Sequence, residues 1–127
     1  MTDELKFTVI SDIHYYSKKN FVDGFDKNKK PKPGQLFFSR SEEIVEHTFG
    51  CLCKNDTPDI VLISGDLTYN GERTSHDEMK AALEKLQQNG KRVYVITATH
   101  DYTTPRMPTS GIDKNDKYIE VESVKRT

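Results

Sequence analysis

Asp59-Ile-Val-Leu-Ile-Ser-Gly-Asp66 decides the fold. Four apolar residues in a row, three of them β-branched, are too few for a buried helix and read as a parallel strand buried on both faces. The run ends on Gly65-Asp66, a polar pair at the strand's carboxyl end. Downstream, Ser75 and Glu78 form a capping-box pattern, and Met79, Ala82, Leu83 and Leu86 fall on one helical stripe. Asn89-Gly90 stops that helix. Arg92 to Thr97 reads as the next strand. Upstream, Ser39 and Glu42 form a second capping-box pattern, with Ile44, Thr48, Cys51 and Leu52 on one helical face, and Asn55-Asp-Thr-Pro58 ends the helix. Leu5 to Ile10 is rich in strand formers and reads as the first strand.

The order is strand, helix, strand, helix, strand. It predicts an α/β fold: a parallel sheet with right-handed crossovers and helices packed on its faces. With 127 residues the chain suits a single domain, its core at 5–102 and an irregular tail at 103–127. Within the tail, Tyr118 to Val124 alternates and reads as one more strand. Residues 15–38 show no period, and a connection of that length is often functional. Lys18, Lys19, Lys27, Lys29, Lys30 and Lys32 cluster there, either as a basic rim for phosphate or, the favoured reading, as a solvated loop. Tyr15, Tyr16, Phe37 and Phe38 are expected to anchor this loop rather than stack on a substrate ring.

Nineteen basic residues nearly balance twenty acidic ones, so net charge gives no general attraction to nucleic acid or an acidic membrane. No apolar run reaches membrane-spanning length. The polar, acidic start is unlike a secretory signal. Cys51 and Cys53, two apart on a helix, point to different sides and are not expected to form a disulfide. Two free thiols point to a cytoplasmic protein. No Gly-x-x-x-x-Gly-Lys-Ser/Thr loop and no Gly-x-Gly-x-x-Gly occurs, so nucleoside-triphosphatase and dinucleotide folds have no motif support.

In open parallel sheets ligands sit outside the carboxyl ends of the strands. Each strand here leads into polar residues: Asp12-Ile13-His14, Gly65-Asp66 and Thr99-His100-Asp101. In extended chain Asp12 and His14 face one way and Ile13 the other. A carboxylate with an imidazole suits Zn, Mn or Fe. A carboxylate at Asp66 is able to bridge two cations. His100 is a candidate general acid, and Asp101 is placed to orient its ring or hydrogen-bond the loop. Taken singly, each motif has a plain reading: a turn-capping Asp, an ordinary Gly-Asp turn, a solvated His. Three of them on neighbouring strands carry the functional reading.

Ser11-Asp-Ile-His14, Gly65-Asp66-Leu-Thr-Tyr-Asn-Gly-Glu72 and Val95-Ile-Thr-Ala-Thr-His-Asp101 together resemble the first three blocks of the calcineurin-like metallophosphoesterases, over roughly residues 5–102. The resemblance implies half of a metallophosphoesterase-like sandwich that hydrolyses phosphomonoesters or phosphodiesters with metal-activated water. It implies Asp12 and His14 as ligands of a first metal, Asp66 as the bridge to a second, and His100 as the histidine assisting the leaving group. The family has Gly-Asn-His in its third block, whereas this chain has Ala98-Thr99-His100. Thr99 offers a hydroxyl, a weaker ligand than the family's Asn amide oxygen. The family takes three further ligand histidines from later blocks, and no histidine follows His100. His47 is expected to be solvated on a helix face, and His76 to sit in a helix-capping neighbourhood.

The chain is therefore expected to hold one metal, two, or none, and to be a truncated portion of the family domain. The alternative is a non-catalytic remnant that serves as a weak metal-binding or interaction module. A third reading, an unrelated parallel α/β binding domain, would need the motifs to match by chance. An uncovered sheet edge is expected to favour self-association. The expected partner is a phosphoester substrate, with no membrane and no specific nucleic-acid contact.

Overall fold

A computed structural model describes residues 3–24, 38–105 and 111–125. Three strands, β1 (Phe7–Ile10), β2 (Ile60–Ile63) and β3 (Arg92–Val95), form a parallel sheet in the order β1-β2-β3. They are linked by α1 (Ser41–Leu52) and α2 (Arg73–Gln88). The register is even throughout: Val9 faces Leu62, which faces Tyr94, and Ile10 faces Ile63, which faces Val95. The α/β alternation read from the sequence is therefore the fold.

Both helices lie on one face of this sheet. Val45, Phe49 and Leu52 of α1 and Met79 and Leu86 of α2 share a single buried cluster with Val61, Ile63, Tyr15 and Leu67. Ile10 and Val93, in register with Ile63 and Val61 on that face, pack against it. The opposite face carries Phe7, Val9 and Tyr94, each about half exposed, beside the part-buried Ile60 and Leu62. The expectation of β2 buried on both faces is corrected: its pattern alternates between partly and fully buried, because nothing among the described residues covers the second face.

The face chosen by α1 also differs from expectation. Val45, Phe49 and Leu52 point inward, while Ile44 is 52% exposed and Thr48 is exposed. The helix carries two overlapping apolar stripes sharing Leu52, and the aromatic one is buried because Phe49 removes more apolar area from water. Neither capping-box pattern forms. α1 starts after Arg40 and α2 after Glu72, and neither cap residue makes a side-chain cap hydrogen bond. Ser75 instead lies inside the first turn of α2, where its Oγ accepts from the Ser17 N–H at 3.1 Å and from Asn20 Nδ2 at 3.2 Å. The α2 stripe and its stop at Asn89-Gly90 match expectation, with Gly90 at φ +87°.

Within the tail, only Tyr118–Ile119 (β5) of the expected strand is extended, antiparallel to Gly111–Ile112 (β4). Ile112 joins Tyr16 and Phe21 in a second small cluster, and Val22 donates to the Ile112 carbonyl at 3.0 Å. Residues 122–125 lie along the α2 start: Arg73 donates to Glu122 at 2.9 Å and Val124 to Gly71 at 2.8 Å. Tyr15 and Tyr16 are buried anchors, as expected. Lys18 and Lys19 are ion-paired with Glu42 and Glu78. Lys27, Lys29, Lys30, Lys32 and Phe37, and the Phe38 side chain, lie outside the described residues. Cys51 and Cys53 are free thiols. No helix among the described residues is long and apolar enough to cross a membrane.

Candidate metal centre

The sheet ends, and the chain continues, in a way that brings three loops together. Beyond β1 and β2 the two strands keep pairing through backbone bonds from Asp12 to Gly65 (3.3 Å), His14 to Asp66 (2.9 Å) and Tyr15 to Leu67 (2.8 Å). This pairing crosses a break in extended geometry. Asp12, His14 and Asp66 hold positive φ of 55°, 48° and 51°. The expectation that Asp12 and His14 are neighbours in extended chain is thus corrected. Two left-handed residues flank Ile13, which still packs against the core. The side chains nonetheless approach, with His14 Nε2 3.7 Å from Asp12 Oδ1 and 4.0 Å from Asp66 Oδ2.

Gly65 makes the crossing to the third loop possible. Its φ is +101°, and a Cβ built there would lie 2.5 Å from the Ala98 Cβ. Only glycine permits both the conformation and the approach. With that gap closed, the His100 N–H donates to Asp66 Oδ1 at 2.9 Å, and the His14 and His100 rings meet edge to face with centroids 4.6 Å apart. His14, Asp66 and His100 each present one ligand-type atom, all within 4.8 Å of one another. Asp12 stands at the rim with its side chain 65% exposed, accepting from the Ser11 hydroxyl. Thr99 is exposed at the first position of the turn that carries His100.

Hydrogen bonding decides which atoms are left to act. His100 Nδ1 contacts the Tyr69 carbonyl at 2.6 Å and Asn70 Oδ1 at 3.2 Å. A carbonyl oxygen only accepts, so Nδ1 carries the hydrogen and Nε2 keeps the lone pair. Asp101 is fully buried, and its two oxygens take the Thr68 and Ala98 N–H groups at 2.9 Å each. It closes the loop rather than serving as a ligand, one of the two roles expected from sequence. His76, expected in a capping neighbourhood, donates from Nε2 to the Asp101 carbonyl at 2.7 Å and so braces the same loop. His47 is exposed on α1, 3.8 Å from Cys51 Sγ, away from these residues. The sequence reading missed Tyr69, Asn70 and Thr68 as supports for His100 and Asp101. Their position directly after Gly65-Asp66 was the available signal.

The donor set fits a divalent cation. His14, Asp66 and His100 form a group of side chains able to hold a metal ion. His14 Nδ1 is buried and has no hydrogen-bond partner among the described residues. A family model described as calcineurin-like phosphoesterase matches residues 5–125. No curated protein matches the chain.

Proposed function

This chain belongs to the calcineurin-like phosphoesterase family, and from that premise we propose that it hydrolyses a phosphomonoester or phosphodiester at the His14–Asp66–His100 cluster. The observation that carries the reading is this grouping of three ligand-type side chains, drawn from three separate strand ends. In the proposal Asp12, His14 and Asp66 would hold the cation, Asp66 Oδ1 being already engaged by the His100 N–H. A bound divalent cation supplies activation of water and neutralisation of charge on the phosphoryl oxygens. His100, with Nδ1–H held by Tyr69, directs Nε2 toward the phosphoryl group and, once protonated, gives its proton to the departing oxygen. The Thr99 hydroxyl is a weaker neutral donor for a second cation. Membership of the family implies a phosphoester substrate and leaves its identity to residues that contact the rest of that molecule.

Metal-dependent cleavage of a chromogenic phosphodiester by this chain, and its loss in Asp66→Asn with an unchanged circular-dichroism spectrum, is the expected result. Equal activity in Asp66→Asn would falsify the assignment. A second reading, a non-catalytic chain that binds one cation weakly, is favoured by Thr99 standing in place of an amide. Metal titration separates the two: two tightly bound equivalents support the enzyme, one weak equivalent the remnant. We also propose a cytoplasmic location, on the two free thiols, and self-association through the sheet, since β1 and β3 lie at its edges and one face exposes Phe7, Val9 and Tyr94. Light scattering that finds only monomer from dilute to concentrated solution rules the association out.

A further inference from the structure

Glu72 occupies the residue before α2 and is fully buried. It does not cap its own helix. Its backbone bridges Ser123, so the 122–125 segment lies against it. Its side chain turns back into the preceding turn, where Oε1 accepts the Asn70 N–H at 2.9 Å. Oε2 finds no hydrogen-bond partner among the described residues. A buried carboxyl with an unsatisfied oxygen is costly, and an apolar residue of similar volume would fill the space at lower cost. Packing therefore does not account for Glu72.

The turn that Glu72 grips is the one that orients His100. Tyr69 and Asn70 supply both acceptors of His100 Nδ1. On the other side Gly71 donates to Thr68 Oγ1 at 3.1 Å, and a Cβ at Gly71 would lie 2.8 Å from the Tyr102 backbone. The turn is thus held from the sheet side by Thr68, through Gly71, and from the helix side by Glu72, through Asn70. The Asn70 N–H and the Tyr69 carbonyl belong to one peptide, so the Oε1 contact bears directly on where that carbonyl points relative to Nδ1.

We propose that Glu72 is a positioning residue for His100: by holding the Asn70 amide it aims the Tyr69 carbonyl at Nδ1 and so keeps the Nε2 lone pair directed into the cluster. This rests on the role given to His100 above, and its test uses neither metal nor substrate. Long-range proton–nitrogen NMR spectra of the chelator-treated protein report the tautomer of each histidine. Wild type is expected to show His100 as the Nδ1–H form. Glu72→Gln retains an oxygen that accepts from Asn70 and keeps that tautomer. Glu72→Ala shifts His100 toward the Nε2–H form common in free imidazole, while His47 is unchanged. Glu72→Asp, which keeps a buried carboxyl but is one methylene too short, shifts it in the same direction and serves if the alanine variant fails to fold. A wild-type His100 tautomer in folded Glu72→Asp, or a shift in Glu72→Gln as large as in Glu72→Asp, overturns the proposal. Either result leaves the Asp66→Asn experiment to judge the phosphoesterase reading separately.

Discussion

Asp12, His14 and Asp66 sit in left-handed backbone, a region that costs a non-glycine residue on the order of 1 kcal/mol or more and that gathers at functional sites. Asp12 gives the clearest test of what that strain is for. Its carboxylate is largely exposed, and its contacts are with Ser11 and His14. Replacing it with glycine relieves the φ of 55° and removes one proposed ligand. Asp12→Gly is expected to raise stability by roughly 0.5–1 kcal/mol in urea unfolding and to weaken metal binding at least tenfold in a titration. A variant that is less stable, or that binds metal as wild type does, contradicts the assignment of strain to function. At this scale the ligand types were legible, because carboxylate and imidazole after a strand are readable from spacing. Their backbone was not. Alternation in an extended chain gave Asp12 and His14 a common direction for the wrong reason, since left-handed φ at a non-glycine residue leaves no mark in composition.

Among the elements, β2 and the α2 stripe were the most readable: Ile60 to Ile63 has only one plausible state, and Met79, Ala82, Leu83 and Leu86 have only one period. α1 was ambiguous because Ile44 and Val45 begin two rival stripes. The packing predicts unequal costs along it. Phe49→Ala is expected to destabilise by about 3–5 kcal/mol, as for a buried aromatic residue, whereas Ile44→Ala on the exposed side stays within roughly 0.5 kcal/mol. Chemical denaturation of the two variants checks this, and equal losses would mean that α1 is rotated from the arrangement described. The capping boxes failed at this scale for a physical reason. Ser75 is recruited by tertiary contacts with Ser17 and Asn20, which a local pattern around the helix start does not reveal.

For the molecule as a whole, two helices on one sheet face leave an apolar face open, and the 122–125 segment seals Glu72 beneath it. Burial raises the Glu72 carboxyl from its ordinary 4.5 to about 7, despite the Asn70 N–H bond, which favours the charged form. The folded pKa lies above the unfolded one, so the folded chain keeps a proton that the unfolded chain has released. The stability linked to Glu72 is therefore fully present below about pH 4.5 and is lost as pH rises through about 7. The loss is about 3 kcal/mol at most. Urea midpoints measured from pH 4.5 to 8 are expected to fall in wild type and to show a shallower fall in Glu72→Gln; parallel profiles would contradict the burial account. Uncovered apolar surface was expected of a half-sheet, but which face stays open, and this buried acid, were not visible in the sequence, because both depend on which side of the sheet the helices chose.

Crystals soaked in a manganese salt, with anomalous scattering recorded near the metal's absorption edge, address the shared pocket itself. A peak in contact with Asp12, His14 and Asp66, with the His100 ring alongside, is the predicted outcome. Ordered density for those three side chains with no peak between them, or a peak only at another part of the surface, contradicts it.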